Sequence, residues 1–480
     1  MIKKRFLWVL LFAALVMSGS ALYAQAPAGP EKVMVYKGEA LQVQLTGQIW
    51  MEMVQNQYNM VSDTYPLWVN IQKAPTGVPI FSFAGTPYAS LGTKQFFADV
   101  VPEASKRGSL IFDVRYAQLG LTLTGPGVLG GWSFARFEAD FFGGFGTTAG
   151  NVSRQGLLRM RNAFAGLGWG GLAKGMWEVK VTFGQYTTII MPYLAMPTTL
   201  SPLPYFERGV LFDWDQGILL SLTFGTPKAN VMVDVDVTRV KGGNDVSSTA
   251  APASLYSGEG FTNNDERGTG EASLHPGFHG RLVFNLNPDP IFGMMVGVQG
   301  HYMNQHQQIL GVGGNLATNL LIVWPAGLVR AMDVPSKSIG AQARISVWIF
   351  NLVAGGWMGE NMANFVAMFG SGVRENMAGT KMLADKGRGG YASLNIQLLK
   401  LGIPFVLAFN VGQEIKNDNK RLSYTAAPVL SNSEVSGTLI WFLNPYVSCG
   451  YEVGQMVTKN KGIAGTAANI SHRLLMRFVF

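Results

Sequence analysis

The chain of 480 residues is poor in charged side chains and rich in glycine and aromatic residues. Only 14% of its residues are charged, against 59 glycines, 29 phenylalanines and 11 tryptophans. Soluble globular proteins average about 25% charged residues, so the composition disfavours a soluble enzyme. The formal net charge of +8 includes no dense run of Lys or Arg, which argues against a nucleic-acid partner, and a single cysteine excludes an internal disulfide.

The first 24 residues have the pattern of a secretory signal peptide. Basic residues at positions 3–5 precede an apolar run over 6–16, and small residues then lead to Ala24. The run is too short for a transmembrane helix, which needs about 20 apolar residues. We therefore predict cleavage after Ala24, a short periplasmic lead-in over 25–40 and a single domain over 41–480.

Apolar and polar residues alternate with a period of two in several segments after residue 40. In residues 41–53, one register holds Leu, Val, Ile and Met, and the other holds mainly Gln, Thr and Glu. Residues 231–237, 339–347 and 405–411 repeat this pattern. Alternation predicts β-strands with one apolar and one polar face. A soluble sandwich would have shorter strands with the polar face outward, so we predict a membrane barrel with its apolar face outward.

Seven short turns and eight long polar loops separate the predicted strands. The short turns are 125–131, 168–175, 226–230, 285–291, 350–351, 400–404 and 444–445; the long loops are roughly 55–108, 143–155, 186–215, 241–275, 304–335, 360–388, 414–432 and 457–467. This division predicts an all-β, antiparallel transmembrane barrel of about sixteen strands, with short periplasmic turns and long extracellular loops. A barrel of that size leaves a water-filled lumen.

Charged residues are concentrated on the inward register of strands two to five. They are Asp113 and Arg115 on strand two, Arg136, Glu138 and Asp140 on strand three, Arg159 and Arg161 on strand four, and Glu178 and Lys180 on strand five. The five basic residues predict a basic cluster on one wall. The third long loop follows this wall directly and carries Glu207, Arg208, Asp213 and Asp215.

Fixed charges that line a pore set its ion selectivity, and arginine and lysine favour anions. We therefore predict that the basic cluster, Glu138, Asp140 and the loop acids Glu207, Asp213 and Asp215 form a pore constriction with anion preference. The alternative is that these charges only solvate a wide lumen or pair with one another. The five histidines form no metal pattern with cysteine, so His279 and His301 are expected to be solvated pore residues.

The last predicted strand ends the chain on an aromatic residue. One register is apolar and the other holds arginines: Leu474, Met476, Phe478 and Phe480 against Arg473 and Arg477. This ending resembles the C-terminal assembly signal of bacterial outer-membrane proteins, which implies the barrel-assembly machinery as a partner through Phe480. The outward apolar faces predict contact with outer-membrane lipid and lipopolysaccharide.

Three sequence stretches resemble a particular group of porins. Residues 135–144 (ARFEADFFGG), 158–167 (LRMRNAFAGL) and 181–186 (VTFGQY) look like strands three to five of the DcaP-like trimeric porins, within the general porin superfamily. The resemblance implies sixteen strands, a homotrimer and a third loop folded into each lumen, with loop acids facing wall arginines. The chain departs from the group in lacking an N-terminal coiled coil and in having a first loop of about fifty residues.

Three classes of function are therefore considered. The first is a porin for small hydrophilic solutes, including anionic ones. The second is a surface adhesin or major outer-membrane antigen that uses the barrel as an anchor, which a third loop outside the lumen would favour. The third is an outer-membrane hydrolase, but no sequence pattern selects the serine, histidine and acid that it needs. We expect no catalytic residues, no cofactor and no metal.

Overall fold

A computed structural model of the chain describes most of the predicted domain. The described residues are 33–38, 41–58, 60–61, 68–69, 108–143, 157–173, 175–192, 195–201, 205, 208–240, 275–309, 312–315, 320–323, 330–362, 365, 372–375, 382–417, 429–460 and 466–480. Glu207 and the predicted signal peptide lie outside them.

Sixteen antiparallel strands form a closed barrel, which confirms the predicted fold class. The strands are β1 (Gln42–Asn56), β2 (Ser109–Asp113 and Gln118–Gly125), β3 (Trp132–Gly143), β4 (Leu157–Gly170), β5 (Trp177–Thr187), β6 (Trp214–Gly225), β7 (Ala229–Thr238), β8 (Gly277–Leu286), β9 (Phe292–Ile309), β10 (Arg330–Val347), β11 (Phe350–Glu360), β12 (Lys386–Gln397), β13 (Phe405–Lys416), β14 (Val429–Phe442), β15 (Val447–Asn460) and β16 (Thr466–Val479). Successive strands pair along the chain, and β1 pairs with β16 to close the barrel.

The seam between β1 and β16 is extended at one end by an extra strand. Gly47 and Phe480 exchange two backbone hydrogen bonds, of 2.9 and 3.1 Å. Beyond Phe480 the same edge of β1 pairs with Val33–Lys37, so the predicted lead-in contains a short strand. The C-terminal strand and the N-terminal strand therefore occupy successive stretches of the same edge of β1.

The remaining described elements are short. Two-stranded hairpins join Met60–Val61 to Trp68–Val69, Val312–Asn315 to Leu320–Val323, and Val373–Glu375 to Met382–Ala384, and Leu398–Leu401 is a 3₁₀ helix. Within the described ranges, no helix is both long enough and apolar enough to cross a membrane.

The barrel corrects three details of the predicted boundaries. The fifth long loop shrinks to 310–329, because β9 continues to Ile309 and β10 begins at Arg330. The turn predicted at 350–351 is Trp348–Ile349, and Trp348 adopts the left-handed conformation with φ 49°. Tyr186 belongs to β5 and Asp215 to β6, so the third loop spans 188–213.

The alternating registers face the two sides that the sequence predicts. On β7, the outward Val231, Val235 and Val237 are exposed, whereas Asp234 and Asp236 are buried inside the barrel. Burying apolar surface is favourable at roughly 25 cal/mol per Å², so an exposed apolar belt of this extent requires a lipid solvent.

The third loop folds into the barrel interior. Many of its apolar side chains are buried, namely Ile189, Ile190, Met191, Ala195, Leu200, Tyr205, Val210, Leu211 and Phe212. They pack against inward residues of distant strands, including Val283 on β8, Val353 on β11 and Leu475 on β16. The interior at this level is therefore a packed core on one side of the lumen.

Candidate pore constriction

The wall of β3 and β4 contains a bulge that directs two consecutive residues inward. The pairing of these strands shifts register, so that Glu138 faces Asn162 while Ala139 faces Met160 and Arg161 has no opposite residue. Arg161 and Asn162 consequently both lie on the lumen side. A bulge re-aims side chains in this way, and it concentrates polar groups at one level of the barrel.

The predicted basic residues lie together on the wall formed by β2 to β5, and each pairs with an acid of the same wall. Arg115 binds Asp113, Arg136 binds Glu138, Arg159 binds Asp140, Arg161 binds Glu138 and Asp140, and Lys180 binds Glu178. We call these nine residues the charged wall. Five bases against four acids leave a local charge of only +1, so the predicted basic cluster is largely neutralised.

The break in β2 accounts for the position of Arg115. The strand is interrupted at residues 114–117, and the Val114 carbonyl accepts a hydrogen bond from Ala117 N at 3.0 Å. The sequence analysis places Arg115 on strand two. In the structure Arg115 lies in this turn instead. Its guanidinium reaches back to Asp113, with Nε 2.9 Å from Oδ2.

Two aromatic rings lie beside the arginines of the charged wall. The Arg159 guanidinium carbon lies 4.7 Å from the centre of the Trp214 ring. The Arg161 carbon lies 5.1 Å from the Tyr116 ring centre. Cation–π contact and bidentate pairing both orient a guanidinium, so these contacts restrict the positions of the Arg159 and Arg161 side chains.

Asp213, at the end of the third loop, and Asp215, on β6, both have polar partners close by. Asp213 accepts a hydrogen bond from Trp214 N at 2.7 Å, and Asp215 lies 3.0 Å from His279 Nδ1. Arg115, Arg136, Arg159 and Arg161 all form ion pairs with acids on β2 or β3, so the charged wall is internally paired.

His279 and His301 are not the solvated pore residues that the sequence predicts. Both are buried, at 2% and 6% exposed, and Phe365 packs against both rings. His301 contacts Ser338 Oγ at 2.7 Å and Ser336 Oγ at 3.0 Å. The third loop and Phe365 cover this part of the wall, which periodicity alone could not reveal.

Polar contacts fasten the third loop to the wall opposite the charged wall. Leu200 N donates to Glu452 on β15 at 2.9 Å, and Thr198 O accepts from Asn410 on β13 at 2.9 Å. Ala195 O accepts from the Tyr391 hydroxyl at 2.9 Å. These partners occupy strands remote in sequence from the loop, so the loop is tied across the barrel rather than only to its own ends.

Arg208 and Tyr205 form two further buried attachments of the third loop. Arg208 lies 3.0 Å from Glu434 on β14, and Tyr205 Oη lies 3.0 Å from Ser436 Oγ. Burial, together with the charge of Glu434, raises the pKa of the Tyr205 phenol above its usual value, so the hydroxyl stays protonated. Tyr205 also has φ 58°, an unfavourable conformation for a residue with a side chain, and these contacts hold it there.

Glycines on the barrel wall allow the loop to approach closely. A Cβ on Gly412 of β13 would lie 2.2 Å from Tyr205 Cδ1, and one on Gly450 of β15 would lie 2.6 Å from Leu200 Cδ2. Gly209 has φ 111°, and a Cβ there would meet Gly390 O at 2.5 Å. The loop docks at these glycines because any larger side chain would occupy its place.

Three basic side chains of the charged wall stay exposed, while the loop covers the other side. Side chains of Arg136, Lys180 and Arg159 are 44%, 37% and 29% exposed, whereas Arg208 under the loop is 5% exposed. Arg136 and Glu138 also line a cavity of about 310 Å³ with Gln48 and Gln118. The exposed side chains of the charged wall and the docked third loop therefore lie on different sides of the barrel interior.

Known proteins support this architecture through structure and not through sequence. No protein-family model matches the chain, and no curated protein gives a significant match. Among solved structures, the outer membrane channel DcaP of Acinetobacter baumannii is similar, at 11% identity over 93% of this chain and 99% of that chain, with a TM-score of 0.58. The chain has a porin-like fold.

Two further solved structures align less well with this porin-like barrel. OmpT of Vibrio cholerae gives 9% identity over 93% of this chain and 99% of that chain, with a TM-score of 0.47. Salmonella typhi OmpF in complex with daunomycin gives 10% identity over 93% and 100%, also with 0.47. Their scores are too low to support an argument, so the fold assignment rests on DcaP.

Arg208→Met is expected to loosen the third loop of the porin-like barrel. Removing one partner of a buried ion pair costs about 3–5 kcal/mol, because the remaining charge keeps its desolvation penalty. Limited proteolysis of the folded protein should therefore cut the loop faster. Adding Glu434→Gln to Arg208→Met should recover part of the loss, and equal protection of wild type and Arg208→Met would exclude this attachment.

Sequence reasoning missed Tyr116, Trp214, Glu434 and Glu452 as parts of the constriction and its supports. Glu434 and Glu452 could have been found, since each stands on the polar register of a predicted strand. Tyr116 and Trp214 carried no such signal, because they lie in the break of β2 and at the first residue of β6.

Proposed function

We propose that the protein is an outer-membrane porin, a non-enzymatic water-filled channel for passive diffusion of small hydrophilic solutes. One observation carries the proposal: the third loop docks on one side of the lumen and leaves Arg136, Arg159 and Lys180 accessible on the other. A barrel that served only as a membrane anchor would need no such division. Fixed charges beside a passage act on the ions that pass.

We infer a weak preference for anions at this constriction. The five bases of the charged wall exceed its four acids by one, and the exposed side chains on it are mainly basic. Weak selectivity follows from local pairing, because an ion pair presents a dipole to a passing solute rather than a net charge. Glu207, which the sequence predicts on the loop side, lies outside the described residues.

The alternative function is a surface adhesin or antigen anchored by the barrel. It predicts a third loop that leaves the lumen free or projects outward. The burial of Ile190, Leu200 and Tyr205 inside the barrel favours the porin instead. The long first loop of about fifty residues is the feature that the adhesin hypothesis would use.

We further propose that the chain is exported through a signal peptide and assembled in the outer membrane. Residues 1–24 would direct the chain through the inner membrane and be cleaved, and the mature barrel would sit in outer-membrane lipid and lipopolysaccharide. The resemblance to trimeric porins supports a homotrimer, with no nucleic acid as partner. The apolar belt around the strands supports the outer-membrane location.

Single-channel recording tests the function directly. The purified mature protein is inserted in a planar bilayer, and a salt gradient gives the sign of the reversal potential. Conductance in steps of three, with a small anion-favouring potential, is expected. A protein that inserts and stays closed would overturn the porin and support the anchored adhesin, and a cation-favouring potential would overturn the anion preference alone.

Deleting Phe480 is expected to reduce the amount of folded barrel in the outer membrane. The deletion removes both backbone hydrogen bonds to Gly47, each worth about 0.5–1.5 kcal/mol, and the terminal aromatic ring offered to the assembly machinery. The folded fraction is measured as the heat-modifiable band of isolated outer membranes. Phe480→Tyr keeps the ring and the backbone and serves as the control; equal folded amounts for deletion and control would contradict the prediction.

A further inference from the structure

Three buried ionisable side chains meet on the barrel wall under the start of the third loop, apart from the charged wall. Asp215 on β6, Asp236 on β7 and His279 on β8 are each no more than 2% exposed. Asp236 and His279 stand directly opposite each other in the pairing of β7 with β8. Three adjacent strands thus each contribute one potential metal ligand to the same point.

The spacing of the three ligand atoms suits a small metal ion. His279 Nδ1 lies 3.0 Å from Asp215 Oδ2 and 3.4 Å from Asp236 Oδ2, and the three atoms lie within 4.8 Å of one another. Tetrahedral coordination with bonds of about 2.0–2.2 Å would place neighbouring ligand atoms roughly 3.3–3.6 Å apart. Small shifts of side chains would therefore bring the three atoms to coordination distance.

One carboxylate oxygen of the cluster is buried and lacks a hydrogen bond. Asp236 Oδ1 accepts from the Tyr186 hydroxyl at 2.5 Å, whereas Oδ2 makes no well-aligned hydrogen bond within the described part of the chain and has His279 Nδ1 at 3.4 Å. Asp236 is 0% exposed, so no bulk water compensates this oxygen. Two carboxylates sharing one imidazole carry an excess of negative charge that a divalent cation would neutralise.

We propose that Asp215, Asp236 and His279 bind one first-row divalent transition-metal ion, with Zn²⁺ as the representative case. The imidazole nitrogen favours such an ion over Mg²⁺ or Ca²⁺, which prefer oxygen ligands alone. Thr188 Oγ1, 3.5 Å from His279 Nδ1, offers an oxygen on the same side. The site would be structural, since it lies buried under the loop.

The bound ion would fasten both ends of the third loop to the barrel. Thr188 is the first residue of the loop, and its backbone N donates to Asp213 O, the last residue, at 3.1 Å. Asp215 follows two residues later on β6. Coordination would thus join β6, β7 and β8 at the level where the loop enters and leaves the wall.

The site is tested on the full-length protein exported in zinc-supplemented medium and purified from the outer membrane. Metal content is measured by mass spectrometry, and Zn²⁺ binding to chelator-treated protein by calorimetry. About one Zn²⁺ per chain and a raised thermal unfolding temperature are expected. Asp236→Asn and His279→Gln should each lose the ion, and His301→Gln should keep it, because His301 binds two serines outside the cluster.

Folding and channel conductance of each variant are checked separately by heat modifiability and bilayer recording. A folded, conducting wild type that holds no Zn²⁺, Mn²⁺, Co²⁺ or Ni²⁺ would overturn the site and leave the porin proposal intact; His279 would then be only a polar partner of the two carboxylates. Zn²⁺ retained at full stoichiometry by both folded variants would also overturn it. If His279→Gln fails to fold, Asp236→Asn decides.

Discussion

Replacing Gly412 by valine is expected to lower the single-channel conductance and to add fluctuations to the open-channel current. A Cβ at this position would lie 2.2 Å from Tyr205 Cδ1 and 2.5 Å from Arg208 O. The valine side chain and the loop cannot occupy the same space, so we expect the loop to move away from β13. Overpacking costs about 1–3 kcal/mol, which corresponds to a shift of about 5- to 150-fold in the equilibrium between docked and undocked loop.

Gly437→Val is a control for adding a valine to the barrel away from the third loop. Gly437 lies on the neighbouring strand β14, and a Cβ there meets no atom within 4 Å. It stands opposite Phe409 on the outward register, so this variant adds the same side chain to the lipid face and leaves the docked loop untouched. Unchanged conductance and noise in Gly412→Val, or an equal change in Gly437→Val, would show that the docked loop does not bound the passage.

The double variant Arg159→Gln/Arg161→Gln is expected to replace the proposed weak anion preference by cation selectivity. It changes the charged wall from five bases and four acids to three bases and four acids. A unit charge about 4 Å from a passing ion alters its free energy by about 1 kcal/mol in water, or roughly fivefold in permeability. The reversal potential under a KCl gradient should therefore change sign.

Two controls distinguish a local effect of the charged wall on selectivity from an effect of the protein's total charge. One is high salt, and the other is a charge variant far from the wall. At 1 M salt the Debye length falls to about 3 Å, so the difference between wild type and double variant should shrink. Lys337→Gln removes one positive charge in the middle of β10, where Lys337 pairs with Glu360 at the end of β11 and is 55% exposed. A reversal potential that keeps its sign in the double variant, or that changes equally in Lys337→Gln, would remove the charged wall from control of selectivity.

Much of the charged wall could be read from the sequence because strand geometry is local. Arg136, Glu138 and Asp140 share one face through a period of two, and the exposed face of the same strand is apolar. Short turns then bring the next strands alongside. The sequence also indicates that opposite charges on the face could pair, and the structure shows that they do, as with Arg159 and Asp140.

The bulge at Arg161 and the break at Arg115 could not be predicted in this way. A bulge adds one residue to a strand and so shifts the alternation of apolar and polar residues. The shift cannot be located when the residues at the bulge are both polar, as Arg161 and Asn162 are. Arg161 thereby gains both Glu138 and Asp140 as partners. Which acid pairs with which arginine in the charged wall therefore depends on the register in which β3 and β4 pair.

Sequence by itself determined the strand number, the side that each register faces and the location of the charged wall, because a membrane barrel forces every strand to alternate between lipid and lumen. Only the tertiary structure decided where the third loop lies and which residues it buries. Its anchors join residues far apart in the chain, such as Leu200 and Glu452, 252 positions apart. Such contacts arise when a loop fills the interior, and they turn His279 and Asp236 from pore-lining residues into a buried cluster.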